Sequence, residues 1–132
     1  ILFNERAEVL QLVVYNQGED TIDDASLSLA LPNHTDWYVA HSLPKRLVND
    51  RYVDRSPDEI ASYPAVTLRD NAVHVNCPIG EIPAGAPVDA FSLPLRLCAG
   101  KDLEGRRFGI RYALHGRNLR APATGQLKIR FR

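Results

Sequence analysis

The sequence has few of the features that mark catalytic, metal-binding or membrane-spanning proteins. Its 132 residues include no Met, two Cys, one Trp and four His. No apolar run approaches the roughly 18 residues that a transmembrane helix needs, and no signal peptide opens the chain. A G-x-S-x-G elbow and a phosphate-binding glycine loop are also missing, which argues against a serine hydrolase and a nucleotide-binding loop.

The residues that commonly bind metals or perform catalysis have no characteristic spacing. Zinc sites use close pairs such as C-x-x-C or H-x-x-x-H, and no histidine forms one. The four histidines are His34, His41, His74 and His115. The acids of one predicted turn lack EF-hand spacing. These acids are Glu19, Asp20, Asp23 and Asp24. We therefore expect no metal, no cofactor and no catalytic residue, and a protein that is not an enzyme.

The two cysteines are predicted to be free thiols. Apolar residues alternate along 73–79, and Cys77 belongs to the inward set. Along 91–98 the inward set ends at Leu97, so Cys98 points outward. Side chains on opposite faces do not meet disulfide geometry. Reduced thiols favour a cytoplasmic location, with a secreted or cell-surface protein as the alternative.

Alternation of apolar and polar residues dominates the chain and predicts strands. The expected strands are about 7–16, 24–31, 37–43, 65–69, 72–79, 88–98, 106–115 and 125–132. Asn16-Gln17-Gly18 predicts a turn with positive φ, and 80–85 predicts a connector. Ser56 and Pro57 begin the one predicted helix. The fold class is an all-β, immunoglobulin-like antiparallel sandwich of seven to eight strands with one short helix. A closed barrel is the alternative.

The chain is expected to be a single domain, 1–132, excised from a larger bacterial protein, because it begins at Ile1 and contains no Met. Its net charge is zero, but the charges are unevenly placed. Residues 96–132 carry ten Lys or Arg against two acids, and residues 1–95 carry six against fourteen. Such a separation is typical of a surface that binds a partner, although solvent-facing strand positions account for it equally well.

The C-terminal hairpin holds the candidate interaction surface. If 106–115 pairs with 125–132, alternate residues place a set of cations on one face, and two more lie in the loop. The set is Arg107, Arg111, His115, Arg117, Arg120, Lys128, Arg130 and Arg132. Clustered cations of this kind neutralise phosphates. Phe108, Tyr112 and Phe131 are predicted to face the core, so the surface has no aromatic platform for stacking single-stranded bases.

Two stretches resemble known bacterial domains. The strand ending at Val14, Asn16 and Gly18, with the I-G-E-I-P-A-G segment at 79–85, resembles CARDB-like immunoglobulin-type domains. Residues 110–129 resemble sandwich segments that follow AlbA-like, Schlafen-type nucleic-acid-binding domains. The resemblance implies an accessory module of a cytoplasmic protein and supplies no catalytic residue.

These observations favour a non-catalytic accessory domain that contacts another protein or a neighbouring domain of the same chain. Addition of a partner strand to a sheet edge is one mode open to it. Nucleic-acid contact through the basic hairpin is the first alternative. Carbohydrate binding by an exposed aromatic residue, Trp37 or Tyr38, is the second.

Overall fold

A computed structural model describes residues 8–33, 37–99 and 107–130, and it is an all-β sandwich with one short helix. The strands are β1 (Glu8–Leu10), β2 (Val13–Tyr15), β3 (Ile22–Pro32), β4 (Trp37–Val39), β5 (Arg46–Val48), β6 (Arg51–Val53), β7 (Ala65–Arg69), β8 (Ala72–Ile82), β9 (Pro87–Asp89), β10 (Leu95–Ala99), β11 (Arg107–His115) and β12 (Ala123–Arg130); the helix is α1 (Pro57–Ser62). No helix in these ranges is long and apolar enough to cross a bilayer.

One layer of the sandwich is a five-stranded antiparallel sheet in the order β12-β11-β3-β8-β7. Its long central strands alternate as the sequence predicts, with one face buried and the other polar or small. The buried residues of β3 are Ala25, Leu27, Leu29 and Leu31. The predicted hairpins 65–79 and 106–132 are confirmed by the β7–β8 and β11–β12 pairings, within the described residues.

The second layer consists of β1-β10-β4 and, beside it, β2-β9. The strands predicted at 7–16 and 88–98 are each interrupted, after Leu10 and after Asp89. At the interruption the Gln11 side chain replaces the backbone ladder, because it donates to the Phe91 carbonyl at 2.8 Å and accepts from the Phe91 amide at 3.1 Å. If each interrupted strand is counted once, eight strands form the sandwich, as predicted, and β5–β6 is an addition.

Asn16 fixes the connection between β2 and β3, but not in the predicted way. Neither Asn16 nor Gly18 has a positive φ. The Asn16 side chain is buried, and its amide nitrogen donates to the carbonyls of Asp20 at 2.7 Å and Ile82 at 3.1 Å. Its amide oxygen accepts from the Gly18 backbone at 3.0 Å. A buried side chain that satisfies three backbone groups replaces the expected left-handed turn.

The helix begins where the sequence predicts. Ser56 is its N-cap and forms a capping box with Glu59. Glu59 also accepts from Arg46 and Arg55, each at 3.2 Å, and so joins the helix to the β5–β6 hairpin. Sequence reasoning missed this hairpin, although Asn49 and Asp50 both have positive φ and form its turn.

Tyr63 closes one side of the core between the layers. Its hydroxyl donates to the Ala40 carbonyl at 2.8 Å and accepts from the Arg96 amide at 3.0 Å. Burial raises the pKa of this phenol. Phe91, Leu95 and other side chains of the second layer pack against the five-stranded sheet to complete the apolar interior.

Candidate interaction surface

The β11–β12 hairpin brings most of the predicted cations to one face of the five-stranded sheet. Arg107 lies opposite Arg130, Lys128 lies opposite Gly109, and Arg111 lies opposite Gln126. Facing residues of an antiparallel pair share a side of the sheet. The side chains of Arg107, Arg111, His115 and Lys128 are exposed there. For Arg130 the structure describes the backbone, and Arg132 lies outside the described residues.

The two predicted loop cations, Arg117 and Arg120, lie in the β11–β12 loop and not on the strands that form this face. Arg117 is exposed and lies 3.8 Å from the carboxylate of Asp23, and its backbone amide donates to the Asp23 carbonyl at 2.8 Å. Asn118 reinforces the contact by donating to the Thr21 carbonyl at 2.8 Å. The β11–β12 loop is therefore docked on the acidic start of β3 and the residue before it, and Arg117 is partly neutralised. Arg120 is exposed in the same loop.

Small residues make the rest of this face shallow. Ala30 of β3 lies between Arg111 and His74, and Ser28 lies between Ala113 and Asn76. A depression of about 320 Å³ opens at one end. It is lined by Ala30, Leu31, Pro32, Asp70, Asn71, Ala72, Gly109, Arg111 and Gln126. We name the exposed outer surface of β11 and β12, with Arg107, Arg111 and Lys128, the basic face.

An apolar groove of about 360 Å³ lies on the other side of β12, between the two layers. It is lined by Leu12, Val13, Val14, Tyr15, Leu27, Tyr112, Leu114, Ala123 and Leu127. The Tyr112 ring lies across Gly125, where a β-carbon would come within 2.7 Å of the ring. Leu127 points towards the interior but stays 36% exposed, because no strand lies beyond β12 in the described sheet.

Two strand edges flank this groove. β12 pairs with β11 alone and β2 pairs with β9 alone among the described strands. β12 is eight residues long, whereas the opposite edge strand of the same sheet, β7, has five. Sequence reasoning did not identify the groove, because it arises from the separation of the two layers rather than from any local pattern.

Among the described residues, no group of three or more histidines, cysteines or acids is arranged so that it could hold a metal ion. His34 lies outside the described residues, and His41, His74 and His115 are on separate elements. The acids Glu19, Asp20, Asp23 and Asp24 lie at the start of β3 and in the loop before it.

Both cysteines are free and buried. The Cys77 thiol donates to the Ala90 carbonyl at 3.0 Å, and burial raises its pKa. Cys98 is predicted to point outward, away from the side of Leu97, and the structure shows that this side is covered. Cys98 lies opposite the exposed Tyr38, not in the main core cluster, yet it is only 6% exposed. Strand alternation predicts the side of the sheet on which a residue lies, but it does not predict whether that side is covered.

The aromatic residues proposed for carbohydrate binding are the first two residues of β4. Tyr38 is 57% exposed. Trp37 pairs with Ala99 through the backbone, and its side chain is outside what the structure describes. As predicted, Phe108 and Tyr112 pack against the core, so neither belongs to the basic face. Phe131 lies outside the described residues.

Comparisons with known proteins give one distant likeness. No family model and no curated protein matches the chain. The chain is similar to the structure of AvmM, described as catalysing macrocyclization in alchivemycin A biosynthesis, with 12% identity and a TM-score of 0.44 over 97% of this chain and 81% of that chain. The expectation that this chain is not an enzyme is contradicted by that neighbour, which is an enzyme, and we withdraw it. The likeness is too distant to transfer an activity or a residue role, and the two family resemblances stay predictions.

Proposed function

We propose that this chain is a contact domain that binds another protein, or a neighbouring domain of its own parent protein, at the open side of the sandwich. The observation that carries the proposal is the eight-residue edge of β12, which has no further strand beside it in the described sheet. An edge of this length presents a row of backbone donors and acceptors to an incoming strand.

The groove beside β12 supports the same mode of binding. A strand added to β12 places every second side chain on the inner face of the sheet, about 7 Å apart. Those side chains would enter the groove and cover Leu127 and Tyr112. Backbone hydrogen bonds would supply affinity, and the shape of the groove would supply specificity.

Selection of peptides followed by mapping tests this proposal. Random twelve-residue peptides are displayed on phage and selected against the immobilised domain, and the selected peptides are titrated while backbone amide shifts are recorded. We expect the shifts to concentrate at 12–15 and 123–130. Shifts confined to another surface, or no peptide enriched above an unrelated sandwich domain, would refute the proposal.

A pair of proline variants provides the matched control. The backbone amides of adjacent residues in an edge strand point alternately towards the neighbouring strand and towards the free edge. One of Gln126→Pro and Leu127→Pro therefore removes an amide from the free edge, and the other removes a hydrogen bond to β11. The variant that keeps its thermal stability is the one that blocks the free edge. It should lose peptide binding, and binding by that stable variant at wild-type affinity would exclude strand addition.

A further inference from the structure

The charges around β12 identify the kind of strand that this edge accepts. No acid occurs anywhere between Arg107 and Arg130. On the described part of the basic face, Arg107, Arg111 and Lys128 make no ion pair, whereas Arg117 and Arg69 lie 3.8 and 3.9 Å from acids at the borders of the sheet. The cations nearest the free edge therefore have no partner within this part of the chain.

A strand at the β12 edge would lie within reach of these cations. It would sit about 4.8 Å from β12 and about 10 Å from β11. Its outward side chains would lie beside Lys128, and Arg107 and Arg111 would be within roughly one Debye length. Its inward side chains would lie over the apolar groove, where Leu12, Val14 and Leu127 supply the lining.

The same cations disfavour a second copy of this chain as the occupant. Pairing of β12 with the β12 of another copy would add a second Arg107, Arg111 and Lys128 to one continuous face. Like charges on facing strands are destabilising, and charged side chains on an edge are a common protection against self-pairing. An acidic strand converts that repulsion into attraction.

We propose that the β12 edge binds an extended segment in which acidic residues alternate with apolar residues. The inference rests on the proposed function and adds the chemistry of the partner. Acidic side chains on the outward side pair with the basic face, and apolar side chains on the inward side fill the groove. A cross-strand pair with Lys128 is worth a few-fold in affinity, and Arg107 and Arg111, one strand further away, add longer-range attraction. The three cations together should therefore favour the acidic peptide by about tenfold.

Three synthetic peptides test the charge preference. They share alternating valines and differ in the intervening residues, which are all Glu, all Gln or all Lys. Binding is measured by fluorescence anisotropy at 50 and 500 mM salt. We expect the Glu peptide to bind about tenfold more tightly than the Gln peptide at low salt, with the difference shrinking at high salt. Equal binding of the Glu and Gln peptides would overturn the proposed charge preference and leave strand addition intact. Binding by none of the three peptides would also overturn the charge preference. In that case the phage selection would test strand addition separately.

Charge-reversal variants show whether the basic face is responsible. Lys128→Glu and Arg111→Glu change exposed side chains and should each abolish the preference for the Glu peptide. Lys45→Glu is the matched control, because Lys45 is also exposed and pairs with Asp54 beside the β5–β6 hairpin, which forms a sheet separate from that of β12. Loss of the preference in Lys45→Glu as well, or its persistence in Lys128→Glu, would overturn the assignment.

Two other occupants are outcomes of the same experiments. A DNA duplex of 20 base pairs that binds at 50 mM salt, and loses binding in Arg111→Glu, would assign the basic face to nucleic acid and overturn the peptide inference. A concentration-dependent dimer in light scattering that Lys128→Glu strengthens would assign the edge to a second copy. We expect no duplex binding and a monomer.

Discussion

Replacing Tyr63 by Phe isolates one hydroxyl that joins two strands of the second layer. The side chain is 7% exposed, and its hydroxyl bonds to the Ala40 carbonyl and the Arg96 amide at 2.8 and 3.0 Å. The substitution keeps the ring and its packing but leaves two backbone groups without that partner. A lost hydrogen bond costs about 0.5–1.5 kcal/mol, and an orphaned buried group costs more, so we expect Tyr63→Phe to lower the free energy of unfolding by about 2 kcal/mol.

Thermal and urea unfolding measure this loss. For a domain of this size, about 2 kcal/mol corresponds to a decrease in Tm of roughly 6–10 °C. Tyr38→Phe is the control, because Tyr38 is 57% exposed, and it should change stability by less than about 0.5 kcal/mol. Equal effects of the two substitutions would refute the structural role of the Tyr63 hydroxyl.

The pH dependence supplies a second readout for Tyr63. Burial raises the pKa of the phenol above its ordinary value of 10.0. The folded state therefore favours the neutral form, and the corresponding stability is complete below pH 10 and is lost as pH rises towards the raised pKa. Tyr63→Phe should lose less stability than the wild type over this alkaline range, and parallel losses would contradict the assignment.

Three further predictions follow from buried or bridging side chains. Asn16→Leu should destabilise the fold by about 2–4 kcal/mol, since three backbone groups lose their partner; urea unfolding measures it, and a loss below about 0.5 kcal/mol would contradict the role given to this side chain. The hydrogen bond from Arg55 is the main cause that lowers the pKa of Glu59 from 4.5. The stability that the ionised Glu59 side chain contributes should therefore be present above pH 4.5 and lost as pH falls through the lowered pKa. After correction for the intrinsic pH dependence of exchange, the protection of amides in β5 and β6 should then fall in acid for the wild type, while Glu59→Gln, already less protected at neutral pH, should show no such transition. In Cys98→Ala, which leaves Cys77 as the one thiol, Ellman's reagent should react at pH 8 only as fast as the protein unfolds, and immediate reaction would show that Cys77 is accessible.

Local alternation was enough to predict most of the sandwich. Each long strand has its own period of two, so the inward residues of β3, β8 and β11 could be assigned without knowledge of their neighbours. The same reasoning placed Arg107, Arg111 and Lys128 on one face, because the β11–β12 register follows from two clear strands and one loop. The helix start was equally local, since its capping box lies within four residues.

The remaining features depend on contacts between distant segments. The interruption at Gln11 exists because Phe91, eighty residues away, accepts and donates the replacing hydrogen bonds. The turn at Asn16 depends on Ile82. The groove is lined by residues of β2 and of the β11–β12 hairpin, which are about a hundred residues apart in the chain. The ion pair that reduces the charge of Arg117 needs the acidic loop to meet the basic one. None of these is encoded within a single window of sequence.

The β5–β6 hairpin has a consequence for how this domain tolerates change. All six strand residues are exposed, the two strands pair only with each other in the described structure, and Arg46 and Arg55 tie their ends to the helix through Glu59. A cut by trypsin after Arg51, or a peptide tag inserted between Asn49 and Asp50, would leave every layer of the sandwich intact. The hairpin is thus a natural position for a reporter group, and the fluorescence anisotropy of a dye placed there would follow partner binding at β12 through the slower tumbling of the complex, without altering the strand that binds.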